Sequence, residues 1–133
     1  KDQLENMIRE YRLDDRIFLM GNTDSTKREF LKSGCFLMPS RWEGMPMIIL
    51  ESLEMGVPVI AYDITAMEPL VTDGMEGFIV KKFDTNAYAE KMLEIAENDE
   101  LRHECGRNAR IKARQFSKEI ISEKWIELME KHI

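Results

Sequence analysis

The stretch Pro39-Ser40-Arg41-Trp42-Glu43-Gly44-Met45-Pro46, continued by Met47 to Leu50 and closed by Glu51, packs four features into thirteen residues. They are a strand end, a glycine turn, a helix start and two carboxylates. The apolar run Cys35 to Met38 just before it predicts a buried strand, ended by Pro39 and Ser40. Gly44 lets backbone approach a ligand closely, and Pro46 suits the first helical position, where its missing N–H costs nothing. The free amides of that first turn, Met45 to Ile48, then face whatever lies above the strand end, which makes an anion or sugar site. Glu51 follows inside an apolar run, where a charge is costly without a partner. A sugar diol is one such partner.

Working outward, helices alternate with short apolar strands. Leu4, Met7, Ile8 and Tyr11 recur at helical spacing over residues 2 to 12. Asp14-Asp15 make a turn, and Ile17 to Met20 predicts a short buried strand ending at Gly21-Asn22. Ser25 or Thr26 caps a helix that runs to Lys32 and closes at Gly34. The helix from Pro46 to Met55 closes at Gly56, and Val57 to Tyr62 is a third strand. Met67 to Thr72 suggests one helical turn, Asp73-Gly74 a tight turn, and Gly77 to Val80 a fourth strand. Three helices follow, over about 85–98, 99–114 and 117–132. Unbroken apolar strands between helices predict an α/β fold, a Rossmann-like parallel sheet with helices on both faces. In such sheets ligands bind beyond the carboxyl ends of the strands. Those ends are Gly21-Asn22, Ser40 to Gly44, Asp63 to Glu68 and Lys81 to Asp84.

The chain has 133 residues, 44% hydrophobic and 33% charged. That suits one globular domain with a real core and argues against disorder. A net charge of −6 speaks against nucleic acid as a partner, since phosphate neutralisation needs a basic surface. Two cysteines, Cys35 and Cys105, read as reduced thiols of a cytoplasmic protein. No run approaches the roughly 20 apolar residues of a membrane span. The opening Lys1-Asp2-Gln3-Leu4 reads as mid-helix, so the chain is expected to be one partial domain, 1–133, of a longer protein.

Four ordered motifs carry a family resemblance. Pro39-Ser40 through Glu43-Gly44, Pro46 and Glu51 holds two glutamates with seven residues between them. Gly56-Val57-Pro58-Val59-Ile60 is a strand entry, Asp73-Gly74-Met75-Glu76-Gly77-Phe78-Ile79-Val80 a turn and strand, and Arg16 to Gly21 a strand ending in glycine. Together these resemble the retaining glycosyltransferases of GT-B fold known as group 1. The resemblance implies the C-terminal, donor-binding half of such an enzyme, without its first strand and without the N-terminal acceptor domain. It implies transfer of a sugar from a nucleotide-sugar, UDP-linked, to an unknown acceptor hydroxyl in glycan or polysaccharide synthesis. It assigns Glu43 to the donor sugar as the catalytic residue and Glu51 to the ribose hydroxyls. Backbone at Gly44, Met45 and Met47 would serve the sugar and diphosphate. No metal and no cofactor are expected, and this piece alone is expected to be inactive. Where many members show Gly-Gly before a Pro-Glu pair, this chain has Ile64-Thr65-Ala66-Met67-Glu68-Pro69. Thr65 and Ala66 cannot take glycine angles cheaply, which leaves a phosphate contact at Thr65 to Met67 open.

Plainer readings stand beside these. Glu43 alone could complement a helix dipole, and Glu51 alone could be a solvated helix residue. Arg41 reads equally as surface or phosphate partner, and Trp42 as loop packing. His103 reads as solvated and His132 as a tail residue. Arg107, Arg110, Lys112 and Arg114 read as a solvated helix face, with peripheral association at the inner face of a membrane left open. A nucleotide-sugar epimerase of the same fold is the nearest alternative. A non-catalytic receiver-type module would need an acidic cluster after its first strand, which is missing. A dinucleotide enzyme would need a Gly-x-Gly-x-x-Gly turn, also missing.

Overall fold

The strand Val59–Tyr62 organises the molecule. In the computed structural model, which describes residues 1–131, all four of its residues are buried. It is the middle of three parallel strands: β1 (Phe36–Met38), β2 (Val59–Tyr62) and β3 (Gly77–Val80). The register sets Phe36, Leu37 and Met38 against Val59, Ile60 and Ala61, and Val59 to Tyr62 against Gly77 to Val80. The helices are α1 (Asp2–Glu10), α2 (Thr26–Phe30), α3 (Met47–Glu54), α4 (Thr85–Glu97), α5 (Asp99–Arg114) and α6 (Lys118–Glu130), with a 3-10 turn at Thr65–Met67.

Side chains alternate across a strand, so β2 feeds two cores. Val59 and Ala61 pack with Met38, Ile49, Leu53, Met67, Leu70, Val71 and Ala109. Ile60 and Tyr62 pack on the other face with Phe78, Val80, Tyr88, Ile95 and Cys105. Helix α3 therefore covers one face and α4 the other, while α5 contributes Ala109 to the first core and Cys105 to the second. Tyr88 Oη donates to the Ile60 carbonyl at 2.6 Å, so its hydroxyl is buried with a partner. Burial pushes that phenol well above its ordinary range. The α/β fold with helices on both faces of a parallel sheet is thus as read from the sequence.

Close approach requires glycine at two places. A Cβ on Gly77 (φ +148°) would lie 1.8 Å from the Val59 carbonyl oxygen. A Cβ on Gly106 of α5 would lie 2.6 Å from the Gly56 carbonyl oxygen, so α5 rests directly on the backbone that ends α3.

Three expectations change. Ile17 to Met20 is not a strand among the described residues. Its side chains stand in the open, Phe18 at 66% and Met20 at 84% of full exposure. In a doubly wound sheet the neighbours of a strand can lie far away in sequence. No described strand pairs with this run, so it gains neither ladder bonds nor burial. The helix after the glycine turn starts at Met47, with Pro46 as its extended N-cap (φ −76°, ψ 93°). And Arg110, expected on a solvated face, reaches across to α3, its guanidinium donating to the Met55 carbonyl at 3.0 Å. The expected single helix turn at Met67 to Thr72 lies two residues earlier, at Thr65–Met67. His132 lies outside the described residues.

Candidate functional site

The carboxyl ends of all three strands open onto one cleft of about 540 Å³. Arg41, Trp42 and Glu43 reach it from the end of β1. Asp63 through Ala66 and Glu68 reach it after β2, and Lys82 after β3. Glu43 therefore stands where a parallel sheet binds ligands. Thr65 to Met67, the segment left open as a phosphate contact, forms the 3-10 turn on the cleft's second wall.

Glu51 is elsewhere. It lines a second cavity of about 570 Å³ with Met47, Leu50 and Glu54 of α3 and Arg110 and Arg114 of α5. The Thr26 hydroxyl of α2 donates to Glu51 Oε2 at 2.5 Å. The half-buried carboxylate thus has a protein partner on one oxygen, and its other oxygen has none among the described residues. Thr26 is positioned by the helix start in which the Ser25 hydroxyl accepts from the Arg28 N–H at 3.3 Å. The two glutamates accordingly line separate cavities rather than one, with Met47 beside Glu51. Gly44 and Met45 lie exposed on the turn between them. That turn leads into the start of α3, which has no side-chain cap. Its first local backbone bond runs from the Ile49 N–H to the Pro46 carbonyl at 3.0 Å, so the Met47 and Ile48 amides precede it.

Sequence reasoning passed over the surroundings of Glu43. Trp42 does not pack the loop; it is 82% exposed on the cleft wall. Phe83, just after Lys82, holds a left-handed backbone (φ +69°) that non-glycine residues rarely take. Its ring contacts Tyr62 at 6.2 Å between centroids and carries Arg41 and Lys82 over it at 5.5 and 5.6 Å. The strand-end rule pointed to Asp63, Glu68 and Lys82; nothing local signalled the backbone of Phe83. Among the described residues, no cluster of three His, Cys, Asp or Glu side chains is arranged to hold a metal. No helix among them is long and apolar enough to cross a membrane.

The family model described as "Glycosyl transferases group 1" matches residues 1–112. The chain belongs to that family. Among curated group 1 relatives, the poly(ribitol-phosphate) alpha-N-acetylglucosaminyltransferase of Staphylococcus aureus is 29% identical over 130 residues, 96% of this chain and 26% of that protein. The poly(glycerol-phosphate) alpha-glucosyltransferase of Bacillus subtilis is 25% identical over 125 residues, 93% of this chain and 19% of that protein. Among solved structures, S. aureus TarM with fondaparinux, alpha-GlcNAc-glycerol and UDP superposes with a TM-score of 0.89 at 29% identity, over 96% of this chain and 26% of that one. The sucrose-phosphate synthase of Thermosynechococcus elongatus shares the fold, with a TM-score of 0.87 at 24% identity over 98% of this chain and 33% of that one. The chain spans about a quarter or less of the length of these two curated relatives. Its α/β architecture is that of the C-terminal part of GT-B transferases.

Proposed function

We propose that this chain is the nucleotide-sugar-binding domain of a retaining glycosyltransferase. It would act with an N-terminal acceptor domain to move a sugar from a UDP-linked donor to an acceptor hydroxyl in glycan or polysaccharide synthesis. The observation that carries the reading is the placement of Glu43 at the carboxyl ends of the strands, one turn of chain before an uncapped helix start. The S. aureus relative solved with UDP supports the choice of nucleotide.

Glycosyl transfer develops positive charge on the sugar ring and negative charge on the departing diphosphate. Glu43 holds the donor sugar by its hydroxyls and sets a carboxylate against the oxocarbenium-like ring. The Met47 and Ile48 amides and the dipole of α3 meet the leaving diphosphate, with no reorganisation at the moment of reaction. Gly44 and Met45 present backbone to the sugar. Glu51 accepts the ribose hydroxyls; a carboxylate has about four acceptor positions, so the Thr26 bond still leaves room. Sugar and ribose then occupy the two cavities, and the diphosphate bridges them over the helix start. The reading assigns the step no metal and no cofactor. Cys35 and Cys105, both free thiols, suit a reducing cytoplasmic compartment.

The test is thermal protection of the protein at its full natural length. UDP and a UDP-sugar should raise the melting temperature, and NAD should not. The Glu43→Gln variant should retain UDP protection and lose sugar transfer. Protection by NAD and none by UDP would overturn the reading.

A further inference from the structure

The cleft at the strand ends holds more charge than one sugar hydroxyl needs. Its walls carry Glu43, Asp63 and Glu68 on one side and Arg41 and Lys82 on the other. Opposite charges that share a cleft normally pair. Here none of the five takes part in an ion pair among the described residues. The two cations instead lie over the Phe83 ring, a contact that holds a cation in place while leaving its N–H donors unused. Phe83 is fixed from behind by Tyr62, whose own ring is locked edge-on against Tyr88 at 5.1 Å. The ring is 60% exposed and its backbone is strained, two costs with no return in packing.

We propose that Arg41, Lys82 and Phe83 form a phosphate-binding corner for the acceptor, and that the acceptor is a polyol phosphate. The two cations take the phosphate oxygens, Arg41 through its forked guanidinium and Lys82 as a point charge. The carboxylates of Asp63 and Glu68 face the polyol and accept its hydroxyl hydrogens. Phe83 is a positioning residue, acting through the two cations it carries. A neutral polyol would leave both cations unmatched, and a bare phosphate would meet the three acids. The mixed walls fit a ligand that carries an anion at one end and hydroxyls at the other. This inference rests on the sugar-transfer reading above, since it names the acceptor of that same site.

The experiment is calorimetric titration of the protein at its full natural length with glycerol phosphate, glycerol, inorganic phosphate and UDP. Glycerol phosphate should bind more tightly than glycerol or inorganic phosphate. Arg41→Gln and Lys82→Gln should each weaken it about tenfold, the scale of one charge-assisted hydrogen bond, and leave UDP within about twofold. Phe83→Gly relieves the backbone strain, so its melting temperature should hold or rise while glycerol phosphate binding falls. Phe83→Tyr should restore that binding. Unchanged glycerol phosphate affinity in both cation variants would overturn the proposal. So would an equal loss of UDP affinity, which would give the corner to the donor diphosphate. Inorganic phosphate binding as well as glycerol phosphate would remove the polyol wall. If the unaltered protein fails to bind UDP at all, the donor reading fails, while the glycerol phosphate titration still decides this one.

Discussion

The two ends of the sheet use arginine in opposite ways. At the amino end, Arg110 donates to the Met55 carbonyl and Arg102 to the Ile95 carbonyl at 3.1 Å. Those carbonyls lie at the C-termini of α3 and α4, where the last turn leaves acceptors unmatched and the dipole is negative. These arginines close the ends of helices. At the carboxyl end, Arg41 and Lys82 lie over an aromatic ring, with no ion pair to the acids across the cleft. The same charge is consumed by the fold at one end and kept available at the other. Changes at the amino end should therefore cost stability and spare binding, and changes at the carboxyl end the reverse.

The sharpest reference point is the core that separates the two ends. Leu53 is fully buried between α3 and the sheet. Leu53→Ala should cost about 2–5 kcal/mol in denaturant unfolding, with UDP affinity of the folded fraction unchanged. A loss under about 1 kcal/mol would mean that α3 is not anchored as described.

Next in size is Glu51→Ala. Removing the acceptor of the ribose hydroxyls should weaken UDP binding by about tenfold or more, at roughly 1.5–3 kcal/mol for hydrogen bonds to a charged group. Stability should change little, because the group is half-buried and its described protein bond is to the Thr26 hydroxyl. Unchanged UDP affinity would remove Glu51 from the site and leave it as a partner of α2.

The direct comparison is Arg110→Met against Arg41→Met. Arg110→Met should cost about 1 kcal/mol by uncapping α3 and leave ligand binding intact. Arg41→Met should stay within about 0.5 kcal/mol of the parent in stability. Equal stability losses in the two variants would erase the contrast between the two ends.

How much of this was written in the chain divides along the same line. The β2 run, its neighbours and the helices around them were legible, because apolar strands and helical spacing are local signals. Gly56 with Pro58, and Asp73-Gly74 before Gly77, marked element ends correctly. Ile17 to Met20 misled because apolar content specifies a strand only when a partner edge is present. Glu43 and Glu51 were expected in one pocket because spacing along the chain says how far apart two residues lie on a helix axis. It does not say which neighbours that helix face meets. Packing of α2 and α5 against α3 turned Glu51 toward a cavity of its own. The strained Phe83 backbone was invisible, since lysine, phenylalanine and aspartate in sequence carry no turn signal.

The smallest effect lies in the second core and sets a baseline for the others. Cys35 is pushed up to about 12 from its ordinary 9.0, first by burial and then by the nearby Cys105. Burial raises Cys105 too. In the unfolded chain both thiols lose their protons near 9, while the folded chain keeps them. Between these values the folded state binds more protons, so stability present below about pH 9 is lost as the pH rises toward 12. Unfolding free energy measured from roughly pH 8 to pH 10 should therefore fall, and fall less steeply in Cys35→Ser. The slope is the readout rather than the absolute stability, so any packing loss from the substitution cancels. Equal slopes in parent and variant would mean that Cys35 titrates as freely when folded as when unfolded, and would take the start of β1 out of the buried core.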